Sequence, residues 1–298
     1  MRIRAIINPS AGRQVLQRNV DRIIYQLLDD QAIEMADVIE TGGKGDAYTA
    51  ARYFQPWEAD LILAVGGDGT ISEVVNGLID GGHQTPLAIL PAGTVNDFAF
   101  AMGIPHDIDE YCDMIKQFRT VPVDVGRIGS NCFLNVCAGG MLTDVAYKVP
   151  SDAKTVLGQL AYILSGAFDL PAQLFRSIPL SIHSDEQDIR EDVLLFIVAN
   201  TNSVGGFRNL APLAEVDDGL LDVLVIYRQN LFEFLPLMLQ LVNGEHLANP
   251  KVCYFQTRRL EISSPGNDVV KLDLDGEEGL QLPVVIEAAP SALRLLVP

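Results

Sequence analysis

Three short apolar runs, each followed at once by a glycine-bearing loop, constrain this chain more than any other feature. Ile3-Arg4-Ala5-Ile6-Ile7 leads into Asn8-Pro9-Ser10-Ala11-Gly12. Leu61–Val65 leads into Gly66-Gly67-Asp68-Gly69-Thr70, and Leu87–Leu90 into Pro91-Ala92-Gly93-Thr94. Behind the first loop, Val15, Leu16, Val20, Ile23, Ile24, Leu27 and Leu28 recur at three- and four-residue steps, the spacing of one helix face. Val74, Val75, Leu78 and Ile79 do the same behind the second. Between these units, residues 35–40 read as a strand, Gly42, Gly43 and Gly45 as a loop, and 46–54 and 107–118 as helices. Strands alternating with helices at this spacing predict βαβ units and a mainly parallel sheet. All three loops leave strand C-termini, so they are predicted to share the sheet edge where such folds bind ligands.

The pattern changes near residue 122. Val123–Ile128, Phe133–Cys137, Leu180–His183, Val193–Ala199, Leu221–Tyr227, Leu260–Ser263, Val269–Leu274 and Val284–Glu287 read as strands, and helical periodicity is mostly confined to 154–168 and 231–242. The chain is therefore predicted to be α/β, with a mainly parallel domain over 1–122. A β-rich, largely antiparallel domain follows over 123–298, its last few residues packing back on the first. No linker rich in Gly, Pro or Ser separates them, which predicts tight coupling across a cleft.

Of the 298 residues, 39 are acidic and 21 basic, a formal charge of −18. The excess is spread along the chain: residues 1–125 carry nine Lys/Arg against eighteen Asp/Glu. Nucleic-acid binding needs a basic face to neutralise phosphates, so that class is disfavoured. Anionic membrane surfaces offer little electrostatic attraction either. Cys112, Cys132, Cys137 and Cys253 form no C-x-x-C pair and read as reduced core residues of a cytosolic protein. The apolar start is too short for a signal peptide, and no uncharged apolar run reaches the ~18 residues a membrane span needs.

Chemistry is concentrated in the loops. Glycines let backbone approach a bulky anion, and a helix start behind them presents free N–H groups. Gly66-Gly67-Asp68-Gly69-Thr70 has that form; Asp68 reads either as a metal-holding carboxylate or as a helix cap. At Gly93-Thr94-Val95-Asn96-Asp97, Thr94 and adjacent amides can face a phosphate while Asn96 and Asp97 cap or ligate. Arg13, after the first loop, is one of few cations near this edge. A P-loop motif, a complete G-x-G-x-x-G and a G-x-S-x-G elbow are all missing, and His83, His106, His183 and His246 sit in no catalytic spacing. Late in the chain, Leu272-Asp273-Leu274-Asp275-Gly276-Glu277-Glu278 clusters acids at a glycine turn. Alternation would place Asp273 and Asp275 on one face, where a carboxylate can orient a substrate hydroxyl and accept its proton, unless the run is simply a solvated hairpin. Asp217-Asp218-Gly219 reads as a turn or as an oxygen-rich site for a hard cation.

Taken in order, Asn8-Pro9-x-Ala11-Gly12, Gly66-Gly67-Asp68-Gly69-Thr70, Gly93-Thr94-x-Asn96-Asp97-Phe98 and Leu274-Asp275-Gly276-Glu277 resemble the motifs of the diacylglycerol kinase catalytic-domain family, in its soluble bacterial lipid-kinase branch. The resemblance extends through Val123-Asp124-Val125-Gly126, Ala138-Gly139-Gly140, Lys154-Thr155-x-x-Gly158 and Ala211-Pro212. It implies an N-terminal α/β ATP-binding domain and a sandwich-like C-terminal domain for the lipid. ATP would contact Asn8, Pro9, Ser10, Ala11, Gly12, Arg13, Thr41, Gly66, Gly67, Asp68, Gly69, Thr70, Glu73, Gly93, Thr94 and Asn96. Asp68, Asp97 and Asp124 would form a carboxylate–water–magnesium network, and a structural magnesium would sit with Asp218 and the main-chain oxygens of Glu215 and Leu220. The proton acceptor would be Glu277 or Asp275. Implied with these are magnesium and ATP as cofactors, a lipid alcohol as acceptor, a cytoplasmic location with peripheral contact at the inner membrane face, and a homodimer. Two alternatives stay open on sequence: a kinase of a soluble alcohol such as NAD, and a catalytically silent nucleotide-binding regulator. The apolar stripes of Val156–Leu170 and Leu231–Val242 either pack on the β-domain or line an entrance for an acyl chain.

Overall fold

The computed structural model describes residues 1–10, 13–93, 96–140, 177–266 and 269–298. They divide into two compact units: Met1–Val125 with Pro290–Pro298, and Gly126–Ala289.

In the first unit, β1 (Arg2–Ile7), β2 (Met35–Glu40), β3 (Leu61–Gly66) and β4 (Leu87–Pro91) run parallel in the order β2-β1-β3-β4. The far end of β15 (Val284–Leu296) lies parallel to β4, Leu295 opposite Leu87. Helices α1 (Arg13–Asp29), α2 (Asp46–Arg52), α3 (Asp68–Asp80), α4 (Asp97–Ala101) and α5 (Ile108–Gln117) connect or follow these strands. Every residue of β3 is buried, which is why it reads as an unbroken apolar run rather than an alternating one. The strand order reverses between β1 and β3, so the loops after these two strands flank the switch point of the sheet. Strand β5 (Thr120–Ile128) pairs with β15, and Val297 N–H donates to Arg119 O at 3.0 Å.

The second unit is antiparallel. The strands are β6 (Asn131–Phe133), β7 (Val136–Gly140), β8 (Ile178–Ser184), β9 (Asp188–Ala199), β10 (Leu221–Tyr227), β11 (Val252–Thr257), β12 (Arg259–Ser263), β13 (Lys271–Leu274) and β14 (Glu277–Gln281). Twelve-residue β9 is the organiser. Along one edge it pairs β10; along the other it pairs β7 through Leu195–Gly140 and then β8 through Val193–Ile178. β7 and β8 thus lie end to end beside β9, two β9 residues apart. One core gathers Phe133, Phe196, Val198, Leu260, Leu272 and Ile286. A second lies beneath α6 (Leu231–Asn243) and includes Phe234, Leu237, Met238 and Leu241. α6 starts on a capping box between Asn230 and Glu233. Phe196 is fully buried in the first core. Phe196→Ala is expected to cost about 3–5 kcal/mol, seen as a lower urea midpoint at unchanged slope.

Two strand expectations need correction. Phe133–Cys137 is not one strand: the ladder breaks at Leu134-Asn135, whose amides turn to another partner described below. Val284–Glu287 is only the beginning of β15, which continues through Pro290 and Ser291 to Leu296. β11 and β14 were not anticipated, since Val252–Thr257 and Glu277–Gln281 are short and carry polar residues. The helix expected over 154–168, with the stripe of Val156–Leu170, lies outside the described residues.

Candidate active site

The loop after β1 is shaped by its first residue. Asn8 N–H donates to Val65 O at 2.9 Å, tying the end of β1 to β3. The Asn8 Oδ1 atom accepts from the Ser10 N–H (3.0 Å) and hydroxyl (2.6 Å), while Nδ2 donates to Thr70 Oγ1 at 3.0 Å. An Asn side chain that closes its own turn is the standard use of this residue type. Here it also binds the first loop to the first turn of α3. Pro9 and Ser10 are exposed; Ala11, Gly12 and the Arg13 side chain lie outside the described residues.

The second loop is the N-terminus of α3. Gly66 ends β3, Gly67 is the N-cap with no side chain to satisfy the first amides, and Asp68 opens the helix. Amides left without an intrahelical or side-chain partner form an anion site. The third loop meets this one directly: a Cβ on Gly93 would lie 3.1 Å from the Gly67 Cα. Asn96, at φ +49°, accepts from the Gly93 N–H (2.9 Å) and donates to the Gly93 carbonyl (2.7 Å), closing the corner on itself. Thr94 lies outside the described residues. Gly93→Ala would place the methyl 2.7 Å from Asn96 Oδ1 as well as against Gly67. It is expected to raise the KM for the nucleotide by roughly tenfold or more, with the circular dichroism spectrum unchanged.

Two carboxylates stand together here. Burial pushes Asp68 up to about 6, and the neighbouring charge of Asp97 adds to the rise. Hydrogen bonds from the Asn96 N–H and from its own N–H oppose it. Crowded carboxylates at a phosphate-receptive corner suit a magnesium ion, which takes hard oxygen donors and commonly uses one or two carboxylates with waters and substrate phosphates. Asp124 is fully buried on β5, and its Oδ1 accepts from the Ser291 N–H at 2.6 Å. Among the described residues no group of three or more His, Cys, Asp and Glu forms a ready-made metal cage.

Thr41 opens the glycine loop after β2, and Glu73 reaches that loop from α3. Thr41 is buried, its N–H donating to Ile7 O at 2.8 Å. Glu73 on α3 accepts from Gly45 N–H at 2.8 Å, while Asp46 accepts from the Gly42 and Gly43 amides at 2.8 and 2.9 Å. Glu73 therefore pins the loop to α3. That contact has no signature in spacing.

In the second unit the acid run separates into three different environments. Leu274 and Glu277 pair across a two-residue hairpin whose central residues, Asp275 and Gly276, have φ of +52° and +88°. Two positive φ values in succession are what a type I′ turn demands, and Asp-Gly is a favoured sequence for it. The alternation expected to put Asp273 and Asp275 on one face ends at Leu274, where the strand does. Asp273 accepts the Gly276 N–H at 2.9 Å and caps the turn. Glu277 is half-buried at the start of β14. Asp275 is only 8% exposed, and its carboxylate accepts three main-chain N–H groups. Leu134 donates to Oδ2 at 2.7 Å; Asn135 and Val136 donate to Oδ1 at 2.9 Å each. This is where the broken ladder between β6 and β7 sends its amides.

Asp218 accepts the Leu220 N–H at 2.8 Å in an acidic turn where Glu215 is exposed. Close by in sequence, burial pushes Asp222 up to about 6, against hydrogen bonds from the Tyr254 hydroxyl and Gln256 amide, with Asp218 adding to the rise. α6 buries Phe234 and Leu237 yet leaves Phe232, Leu239 and Val242 exposed at 84%, 67% and 53%, so it packs on the β unit with one face only.

Glycine corners meeting at a parallel-sheet switch point, beside paired carboxylates, suit the holding of a nucleotide's phosphates for transfer. Comparison with known proteins narrows this. The model of the diacylglycerol kinase catalytic domain matches residues 2–128, and that of the YegS C-terminal NAD kinase beta sandwich-like domain matches residues 136–297. A diacylglycerol kinase from Bacillus subtilis (strain 168) is 38% identical over 283 residues, covering 95% of this chain and 91% of that one. One from Staphylococcus haemolyticus (strain JCSC1435) is 36% identical over 280 residues, covering 94% and 83%. The crystal structure of a diacylglycerol kinase from Bacillus anthracis str. Sterne superposes with a TM-score of 0.79 at 27% identity, covering 100% of this chain and 97% of that one. The chain belongs to the diacylglycerol kinase family and is a lipid kinase of that kind. Among the described residues, no helix is long and apolar enough to cross a membrane.

Proposed function

We propose that this enzyme transfers the γ-phosphoryl group of ATP, with magnesium, to the primary hydroxyl of a lipid such as diacylglycerol. The observation that carries the reading is the contact of the Gly67 and Gly93 corners beside the Asp68–Asp97 pair. In this reading the amides at the start of α3 receive phosphate oxygens, and Asn8 and Glu73 hold the flanking loops in place. Asp68 and Asp97, joined by Asp124, would hold magnesium through waters; bound there, it would neutralise phosphate charge during transfer. A second, structural magnesium is assigned to the turn of Asp218, with the carbonyls of Glu215 and Leu220.

Phosphoryl transfer asks little covalent chemistry of the protein, so acceptor activation reduces to orienting a hydroxyl and taking its proton. We assign that task to Asp275, with Glu277 as the alternative. What favours Asp275 is immobilisation: three N–H donors fix both of its oxygens. Contact with the inner membrane face follows from an acceptor that resides in a bilayer, and a homodimer is proposed on resemblance alone.

The test is incubation with labelled ATP, magnesium and a total lipid extract, with NAD in a parallel reaction. A labelled product in the lipid phase, identified by mass, is expected. Label appearing only on NAD would replace the lipid acceptor with a soluble one, and ATP binding without transfer to either would make the chain a regulator.

A further inference from the structure

The hydrogen bonds that hold Asp275 continue past its carboxylate into a buried polar layer. The carbonyl of Leu134 accepts from Asn200 Nδ2 at 3.0 Å, and that of Asn135 from the Asn200 N–H at 2.9 Å. The Val136 carbonyl accepts from the Asp275 N–H at 2.9 Å, so the turn and the break grip each other in both directions. The Asn135 side chain is itself held: Nδ2 donates to Ser203 O at 3.0 Å, and Oδ1 accepts the Thr201 hydroxyl at 2.5 Å. Thr201 Oγ1 in turn accepts from the Ser203 N–H at 3.4 Å. Asn135 is 7% exposed, and Asn200, Thr201 and Ser203 are 1% each.

Burying four polar side chains in a β unit is costly unless they are paired. Asn200 is paired onto the two peptide planes whose amides, those of Asn135 and Val136, point at Asp275, and the Asn135 and Thr201 side chains pair with each other and with the Ser203 main chain. An ordinary β ladder could have satisfied the same backbone with apolar side chains. The layer's specific effect is to fix the direction of two of the three donors, the Asn135 and Val136 amides, and hence the position of one carboxylate, and misplacement of a reacting group by about 1 Å costs on the order of 100-fold in rate.

We propose that Asn135, Asn200 and Thr201 are positioning residues of the phosphotransfer reaction: they touch no substrate, and they act by aiming the amides of Asn135 and Val136 at Asp275. This rests on the reading of Asp275 as the acceptor-activating carboxylate. None of the three belongs to a motif singled out for chemistry in the sequence.

Thr201 gives the test, because its hydroxyl can be removed or kept at similar volume. Kinetics of the full-length protein with ATP and diacylglycerol in mixed micelles are compared for Thr201→Val and Thr201→Ser, alongside amide hydrogen exchange. Thr201→Val is expected to lower kcat by about 10–100-fold with both KM values unchanged. It should also speed exchange at Asn135 and Val136 while the rest of the second unit keeps its protection. Thr201→Ser is expected to restore both. Should the valine variant fail to fold, Thr201→Ala against Thr201→Ser isolates the same hydroxyl. In an Asp275→Asn background, Thr201→Val is expected to cost nothing further in residual kcat. Wild-type kcat in Thr201→Val, or a loss that multiplies in full on top of Asp275→Asn, overturns the inference while leaving the role of Asp275 intact. Wild-type kcat in Asp275→Asn alone overturns that role, and the inference with it.

Discussion

Replacing Asp275 by Asn is expected to lower kcat by about 10²–10⁴-fold, the range associated with loss of a positioned acid or base. The KM for ATP should stay near its wild-type value, because the phosphate-receptive corners belong to the first unit. The substitution keeps the shape of the side chain, but its NH2 group turns toward an N–H donor that formerly had an acceptor. A drop of a few degrees in the thermal midpoint is therefore expected as well. Glu277→Gln, by contrast, should lose less than tenfold, since the amides of Leu134, Asn135 and Val136 are committed to Asp275. Steady-state phosphorylation of diacylglycerol in micelles separates the two acids. An inactive Glu277→Gln beside an active Asp275→Asn would move the proton acceptor two residues along the hairpin.

Asp68→Asn is expected to show opposite effects on turnover and on stability. The carboxylate titrates near 6 in the folded chain against a reference of 3.8, driven up by burial and by Asp97. The folded state thus holds the proton more tightly than the unfolded state does. Stability consequently falls as pH rises from about 4 to about 6 and levels off beyond, where ionised Asp68 is a fixed cost. The amide variant escapes that cost, so metal-free Asp68→Asn should melt higher than wild type at pH 7 and equal to it or lower at pH 4. Its kcat should fall by about 10²–10³-fold at any magnesium concentration, because the oxygen charge that draws the cation is gone. A metal-free variant that melts below wild type at pH 7 would contradict the crowding of the two carboxylates. Gain in stability with loss of rate is the usual trade at a site built for chemistry.

Much of this was legible from residue order, and the reasons are local. The runs 3–7, 61–65 and 87–90 announce parallel strands because both their faces are buried, so no polar alternation blurs them. Asp107 and Asn230, each accepting an N–H two or three residues on, mark helix starts that sequence can show. What escaped was whatever depends on distant partners. Leu134-Asn135 looked like strand because Phe133 and Val136-Cys137 flank it with apolar residues; only the arrival of Asp275, about 140 positions later, explains why the ladder opens. β15 looked finished at Glu287 because Pro290 and Ser291 are turn residues, yet the strand persists, with Asp124 accepting the Ser291 N–H at φ +52°. Glu73 read as part of a phosphate loop, and its contact with Gly45 could be found only in three dimensions. The candidate acids divide the same way: the motif drew attention to Asp273, Asp275 and Glu277 alike, and hydrogen bonding alone tells a turn cap from a clamped carboxylate.

The first unit is discontinuous, and its closing strand comes from residues 290–298, where Leu293, Leu295, Leu296 and Val297 are buried. A ribosome makes Met1–Val125 first, but that half cannot complete its core until the whole intervening β unit has emerged. The nascent chain must therefore carry an unfinished parallel sheet, with the β4 flank uncovered, until residues 290–298 emerge. Completion of the phosphate-handling half thus waits on the last residues to be made.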